Sequence, residues 1–133
     1  MIQGTGAPVG TGGRVGTGGR VIGRLSTHVL DTSLGTPAGG IPALLEQIDP
    51  DGTARPAGDG VTDADGRIHQ LNTDALEPGE YRIVLATGGY FADKHPQVFY
   101  PSIVLQFVLS GDREHYHIAV LTSTYSYTTY LGS

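Results

Sequence analysis

The sequence predicts an all-β domain that folds as a sandwich of two sheets. Short segments rich in β-branched and aromatic residues recur along the chain with alternating apolar and polar positions, as half-buried strands require. Glycine, proline and aspartate separate them at close spacing, which is typical of sandwiches with roughly seven or eight strands. A length of 133 residues without any cysteine suits one domain whose core needs no disulfides.

The N-terminal segment carries a repeat rather than a strand. The hexapeptide Val-Gly-Thr-Gly-Gly-Arg occurs twice in succession, at residues 9–14 and 15–20. A dinucleotide-binding glycine loop needs a strand before it and a helix after it, and neither is predicted here. Low complexity and high backbone entropy favour a disordered Gly-rich extension over residues 1–23. We therefore expect a folded domain over residues 24–133 and no cofactor.

The first strand is predicted from Arg24 to Asp31. Alternation places Leu25, Thr27 and Val29 on one face and Ser26, His28 and Leu30 on the other.

Three turn signals divide the next part of the chain. A Gly-Gly pair at 39–40 leads into a strand over 41–48, and Asp-Pro-Asp-Gly at 49–52 ends that strand. Proline fixes φ in such a turn and glycine tolerates positive φ. Asp65-Gly66 forms the third turn, which puts Arg67 at the start of a short strand.

Two further strands and the single helix follow. Glu-Pro-Gly-Glu at 77–80 leads into a half-buried strand over 81–86. Residues 88–95 have room for one or two helical turns. Tyr100-Pro101 then opens a strand over 102–109, whose alternate positions are apolar.

The C-terminal residues read as two strands joined by a short turn, over 115–121 and 125–133. The first of them places His115 and His117 on one face, and the apolar Tyr116, Ile118 and Val120 on the other. Two imidazoles beside small or apolar neighbours indicate a pocket, a subunit interface or a metal site.

Composition limits the partners. The chain has 8 Lys and Arg against 13 Asp and Glu, a net charge of -5, and no basic stripe with interleaved aromatics, which argues against nucleic acid. No run approaches the roughly 20 apolar residues of a membrane helix, and the N-terminus lacks the apolar segment of a signal peptide. We expect a cytoplasmic protein that uses neither nucleic acid nor membrane.

The histidines are the candidates for chemistry. His28, in mid-strand, is either a core or interface histidine with a hydrogen-bond partner or a group suited to proton transfer. His115 and His117 could hold zinc if a third ligand such as His28 came close, although no paired carboxylate accompanies them. His69 and His95 lie in turn-rich contexts and are assigned no role.

Arginine and serine side chains are further candidates for the site. Arg67 is either a solvated charge after a tight turn or, near the histidines, a clamp whose planar guanidinium binds a carbonyl or urea-like edge. No nucleophile is evident, because there is no cysteine and no G-x-S-x-G elbow. Ser26 or Ser133 beside a histidine is weak support for an acyl-enzyme.

A set of motifs from Arg24 to the last residue resembles the 5-hydroxyisourate hydrolases, the transthyretin-related enzymes of urate breakdown. The matching motifs occur in the family's order: Ser26-Thr27-His28-Val29-Leu30-Asp31, Gly35 with Pro37-Ala38, Asp65-Gly66-Arg67, Phe99-Tyr100-Pro101, His115-Tyr116-His117-Ile118 and the ending Tyr130-x-Gly132-Ser133. Leu131 departs from the family's usual Tyr-Arg-Gly-Ser ending, and Ala119 stands where the family usually has proline.

The resemblance implies a fold, an assembly and a site. The fold is a prealbumin-like sandwich of two four-stranded sheets with one short helix, assembled as a homotetramer, a dimer of dimers. The site lies at the channel between dimers, and His115 is not part of it. Carried over residue by residue, the catalytic groups are His28, Arg67, His117 and Ser133, and the substrate-binding residues are Tyr130, Leu131 and Gly132.

The resemblance also implies the reaction. It is hydrolysis of 5-hydroxyisourate to 2-oxo-4-hydroxy-4-carboxy-5-ureidoimidazoline, by histidine-assisted attack of water on a ring carbonyl. We expect one of His28 and His117 to take the proton from water and the other to orient the water or relay protons, while Arg67 polarises the carbonyl. The alternative is a transthyretin-like carrier that binds a small aromatic ligand in an intersubunit channel without turnover.

Overall fold

The computed structural model describes residues 19–133, which form nine strands and one helix. Residues 1–18 of the expected extension lie outside the described residues. The elements in chain order are β1 (Arg24–Asp31), β2 (Thr36–Pro37), β3 (Pro42–Ile48), β4 (Ala54–Val61), β5 (Arg67–Ile68), β6 (Gly79–Leu85), α1 (Gly88–Lys94), β7 (Ile103–Leu109), β8 (His115–Thr122) and β9 (Tyr127–Gly132).

The strands form two sheets, as predicted, but one of them has five strands. Its order is β2-β1-β8-β9 with β5 also paired to β1, and the other sheet has four strands in the order β4-β3-β6-β7. The extra strand arises because two segments of two residues each pair with β1: Leu30 pairs with Pro37 of β2, and Thr27 pairs with Ile68 of β5. All the pairings are antiparallel except that of β1 with β8.

The core lies between the inner faces of the two sheets, and the predicted alternation is confirmed there. Leu25 and Val29 of β1 are fully buried, and the Tyr116, Ile118 and Val120 face of β8 is buried beside them. The facing sheet contributes Leu45, Tyr81, Ile83, Leu85, Ile103 and Leu109. Each fully buried side chain of this kind stabilises the fold by roughly 1.5–3 kcal/mol.

The sequence did not predict the two-residue strand β2 or the longer strand β4. The residues of β4 include Pro56, Gly58 and Gly60, which are poor strand formers. It forms because it lies at the edge of the sheet, paired only with β3, and the register shifts between Leu45 and Glu46. An edge strand tolerates proline, since the backbone groups along one of its sides form no hydrogen bonds with a neighbouring strand.

The ordered fold begins before Arg24. Ile22 is fully buried and forms an isolated bridge with Leu76, and the Arg20 amide donates to the Gly111 carbonyl at 3.2 Å. Ile22, two residues after the repeat ends at Arg20, therefore already belongs to the core.

A buried polar network holds α1 to the end of β1, and it includes His95, to which no role was assigned. His95 Nε2 lies 2.6 Å from Asp31 Oδ2, Tyr90 donates to the same oxygen at 2.6 Å, and His95 Nδ1 lies 2.6 Å from Thr124 Oγ1. Burial alone would raise the pKa of Asp31, but the hydrogen bonds from His95, Tyr90 and the Leu34 amide outweigh it and lower that pKa. The network ties three separate segments together.

Candidate functional site

Strand register brings the predicted site residues together. In the parallel pair of β1 and β8, Ser26 lies opposite His117. Strand β5 adds Arg67 opposite His28 on β1, and β9 adds Gly132 opposite His117. Paired positions in a sheet share a face and lie within about 5.5 Å, so residues distant in sequence meet on the outer face of the five-stranded sheet.

A cavity of about 250 Å³ lies at this meeting point. Three of the predicted catalytic residues line it, namely Arg67, His117 and Ser133. The fourth, His28, is beside it, with its ring centroid 6.4 Å from that of His117. The full lining is Arg24, Ser26, Thr27, Arg67, Ile68, His69, His115, His117 and Ser133.

The three residues predicted to bind substrate occupy different positions. Gly132 packs on His117 so closely that a Cβ at this position would lie 2.8 Å from His117 Cδ2. Tyr130 and Leu131 are 54% and 50% exposed and do not line the cavity. Leu131 pairs with the core-facing Ile118, so it projects from the face opposite His117.

Arg67 and His28 are positioned by the turn that precedes β5. Asp63 Oδ1 accepts hydrogen bonds from the amides of Asp65 at 2.9 Å and Arg67 at 3.0 Å. The Arg67 amide is the main cause of the lowered pKa of Asp63. His28 Nε2 lies 2.9 Å from the Asp65 carbonyl oxygen. This Asp-x-Asp-Gly turn therefore holds the arginine and one histidine at the same time.

The second histidine belongs to a chain of hydrogen bonds. Ser26 Oγ lies 2.7 Å from His117 Nδ1 and 2.7 Å from His115 Nε2. Arg24 Nη2 lies 3.2 Å from His115 Nδ1, and Arg24 Nη1 lies 3.4 Å from the His69 carbonyl oxygen. Ser26 is 5% exposed, so its hydroxyl is shielded from competing water.

The cavity is electropositive and disfavours the charged form of its histidines. Burial, followed by the positive charge of Arg67, lowers the pKa of His117, and His28, His115 and Arg24 lower it further. Burial and then Arg24 lower the pKa of His115. The side chains that line the cavity include no Asp or Glu.

The zinc alternative finds no ligand set within residues 19–133. No group of three His, Cys, Asp or Glu side chains in this part of the chain is arranged to hold a metal ion. His115 and His117 do lie close, with ring centroids 6.4 Å apart, but a nitrogen of each faces the Ser26 hydroxyl.

Sequence reasoning missed Arg24 and His69 and gave Ser26 and His115 no place in the site. The signal for two of them was present in the β1 alternation, since positions 24, 26 and 28 share one face. His115 likewise shares its face with His117. The missing step was the parallel register, because it sets Arg24 opposite His115 and Ser26 opposite His117.

Comparison with known proteins assigns the family. The model of the HIUase/Transthyretin family matches residues 25–132. The chain belongs to this family. A 5-hydroxyisourate hydrolase of Salmonella dublin is 44% identical over 110 residues, which cover 82% of this chain and 80% of the relative, and one of Pseudomonas aeruginosa is 36% identical over 118 residues, which cover 84% and 93%.

The solved structures that match include both a 5-hydroxyisourate hydrolase and a transthyretin. The 5-hydroxyisourate hydrolase of Klebsiella pneumoniae matches with a TM-score of 0.73 at 31% identity, covering 84% of this chain and all of that one. Transthyretin of Sparus aurata matches with a TM-score of 0.75 at 33% identity, covering 82% and 96%. Backbone similarity alone thus does not separate the two functions. Within residues 19–133, none of the helices has the length and apolarity to cross a membrane.

Proposed function

We propose that this protein is a 5-hydroxyisourate hydrolase, which converts its substrate to 2-oxo-4-hydroxy-4-carboxy-5-ureidoimidazoline. The observation that supports this most is the convergence of His28, Arg67, His117 and the Gly132-Ser133 terminus on one polar cavity. The curated relatives that match most of the chain carry this name. A small planar purine derivative with carbonyl and N-H edges suits such a cavity.

The chemistry follows from what the residues can donate and accept. Hydrolysis requires a water made nucleophilic beside a ring carbonyl, stabilisation of the charge that develops on the carbonyl oxygen, and a proton for the departing nitrogen. Arg67 polarises the carbonyl and binds the imide edge through its planar guanidinium. The pair His28 and His117 handles the proton, and the Ser133 hydroxyl or carboxylate closes the site over the substrate.

The carrier alternative has one specific observation in its favour. Leu131 replaces the family's usual arginine and is half exposed, so the terminus offers an apolar side chain where the enzymes have a charged one. The polarity of the cavity argues against the carrier alternative, because two guanidinium groups and several imidazoles line it. A carrier of a hydrophobic aromatic ligand would require apolar walls.

We propose that the protein assembles as a homotetramer, a dimer of dimers. Strands β7 and β9 lie at the edges of their sheets, with unpaired backbone groups along one side. Both carry exposed apolar residues, with Val104 and Val108 on β7 at 47% and 63% exposure, and Tyr127, Tyr130 and Leu131 on β9. Pairing of these edges between subunits would cover the residues and narrow the open side of the cavity. Light scattering over a dilution series measures the assembly directly.

Two expectations from the sequence remain proposals. We propose a cytoplasmic location, which suits a sequence that contains no cysteine. We also propose that the Gly-rich segment before the sandwich is dispensable for folding. Removal of residues 1–18 should leave the melting temperature and the catalytic rate unchanged.

The deciding experiment follows the ultraviolet decay of freshly generated 5-hydroxyisourate with and without protein. The hydrolase accelerates this decay in proportion to its concentration, and a His117→Asn variant of equal folded content serves as the control for non-enzymatic decay. If the parent leaves the decay unchanged yet binds an aromatic ligand in equilibrium dialysis, the protein is a carrier.

A further inference from the structure

The hydrogen-bond chain beside the cavity has a direction, which Arg24 sets. A guanidinium donates hydrogen bonds and accepts none, so the 3.2 Å contact of Arg24 Nη2 with His115 Nδ1 requires a lone pair on that nitrogen. Neutral His115 then carries its proton on Nε2 and donates it to Ser26 Oγ at 2.7 Å. The identity of one arginine thus fixes the tautomer of the first imidazole.

The same logic passes through Ser26 to His117. A hydroxyl has one proton, and the oxygen of Ser26 already accepts from His115. Its proton is therefore free to be donated to His117 Nδ1, which lies 2.7 Å away. His117 Nδ1 accepts this hydrogen bond and therefore carries no proton in the neutral ring. Neutral His117 presents Nε2-H as a donor on the side of the ring that the hydroxyl leaves open.

His28 is held in a way that leaves it a free basic nitrogen. A carbonyl oxygen only accepts hydrogen bonds, so the contact of His28 Nε2 with the Asp65 carbonyl at 2.9 Å places the proton on Nε2. The lone pair of His28 Nδ1 has no partner among the hydrogen bonds of residues 19–133. The two histidines therefore differ: His28 can accept a proton, and His117 is held as a donor.

We propose that Arg24, Ser26 and His115 are positioning residues that form a relay, hold His117 as a neutral Nε2-H donor and leave His28 as the general base. The catalytic roles in this proposal rest on the proposed hydrolase function, whereas the relay itself does not. This assigns a task to three residues that lie outside the site implied by the family resemblance.

The relay defines where each proton goes during hydrolysis. The water oxygen bonds to the ring carbonyl carbon, one water proton moves to His28 Nδ1, and the carbonyl electron pair moves onto its oxygen, which His117 Nε2-H and Arg67 stabilise. The C-N bond then breaks, and the departing nitrogen takes the proton from His28. The new carboxylic acid loses the other water proton to solvent, and His117 stays neutral throughout.

The groups around His117 act in the same sense as the relay. Arg24 and His28 face it from β1, Arg67 from β5 and His115 from its own strand, and Ser133 lines the same cavity just after β9. Burial and the cationic groups lower the pKa of His117. The neutral ring that the relay requires is therefore also the ring that burial and these cationic groups favour.

Nitrogen-15 NMR of the histidine rings tests the relay on the full-length protein without substrate. Two-bond correlations between ring protons and nitrogens identify the tautomer of each ring, and a pH series gives each titration midpoint. We expect Nε2-H tautomers for His115 and His117, and a midpoint for His117 below the usual histidine range. A proton on His117 Nδ1 in the neutral ring would overturn the relay.

Two variants separate hydrogen bonding from charge. Ser26→Ala removes the connecting hydroxyl but keeps every charge, and it should raise the titration midpoint of His117 by freeing Nδ1. Arg24→Ala, at an exposed position, should raise the midpoints of both His115 and His117. Arg55→Ala is the matched control, since Arg55 pairs with Asp49 in the other sheet, and it should change neither. Unchanged midpoints in both Ser26→Ala and Arg24→Ala would refute the relay.

The activity assay distinguishes the relay from the function. In the hydrolase, Ser26→Ala and Arg24→Ala should move the acid limb of the profile of kcat/KM against pH to higher pH, and Arg55→Ala should leave it in place. Failure of the parent to hydrolyse 5-hydroxyisourate, with the NMR results as expected, rejects the function and keeps the relay. Normal hydrolysis with acid limbs unmoved in both variants rejects the relay and keeps the function.

Discussion

Replacing Gly132 by alanine tests whether the last residues of β9 position His117, one of the two proposed catalytic histidines. The added Cβ would lie 2.8 Å from His117 Cδ2 and 3.3 Å from the His117 carbonyl oxygen. Carbon atoms in contact prefer about 3.5–4.0 Å, so the ring and the terminus must separate by about 0.7 to 1.2 Å. Either His117 loses its alignment with Ser26 or Ser133 moves away from the cavity.

A displacement of this size has a calculable effect on rate. A misplacement of about 1 Å in a catalytic arrangement costs on the order of 10²-fold in rate, which corresponds to about 2.7 kcal/mol of transition-state stabilisation. The effect on folding is smaller, because Gly132 lies at the end of an edge strand and its backbone is not in the positive-φ region. We expect a loss of less than about 1 kcal/mol in the free energy of unfolding.

The assay is the kcat/KM for decay of 5-hydroxyisourate, with thermal unfolding measured on the same preparations. Gly79→Ala is the matched control, since a Cβ at that position meets no atom within 4 Å, and it should keep the parental kcat/KM. If Gly132→Ala retains kcat/KM within a factor of about 3, the close packing of the terminus on His117 is not required for catalysis.

Three other changes have defined outcomes. His117→Asn should lower kcat by about 10²- to 10⁴-fold, the usual share of an acid-base group, with an unchanged melting temperature; a smaller loss removes it from the mechanism. Leu131→Arg should change kcat/KM by less than about 3-fold, because this side chain projects from the face opposite the cavity. Asp31→Ala should lower the free energy of unfolding by about 3–5 kcal/mol, because it leaves the buried His95 without its carboxylate partner. Denaturant titration measures this loss, and Asp93→Ala, at an exposed position, should not show it. Folding lowers the pKa of Asp31. The ionised carboxylate therefore stabilises the fold above its unfolded-state pKa of about 3.9, and this stabilisation is lost as the pH falls through the pKa of the folded state.

The sequence predicted those strands whose alternation reflects burial on one side. Both ends of β1 and the core-facing residues of β8 were predicted correctly. Apolar residues at every second position indicate a strand whose sheet packs against the core on one face. Strand β4 was not predicted, since its pairing is set by the neighbouring strand rather than by its own composition. Composition reports burial, whereas the backbone pairing that places an edge strand rich in glycine and proline leaves no such pattern in its sequence.

The sequence predicted only those site residues that belong to recognisable motifs. His28, Arg67 and His117 could be named from local patterns and family resemblance, but the pairing of Arg24 with His115 depends on a contact 91 residues apart in sequence. No local pattern encodes that separation. His95 was set aside for the same reason, because its partner Asp31 is 64 residues away.

The strands that build the site also build the core, and they use opposite faces for the two tasks. On β1, Leu25 and Val29 are fully buried in the core while Ser26 and His28 face outward, and on β8 the core residue Tyr116 separates two outward histidines. Side chains on the outer face can therefore change without altering inter-sheet packing, which is the main source of stability. This explains how a 5-hydroxyisourate hydrolase and a transthyretin can share one backbone, and why side-chain chemistry rather than fold similarity must distinguish them.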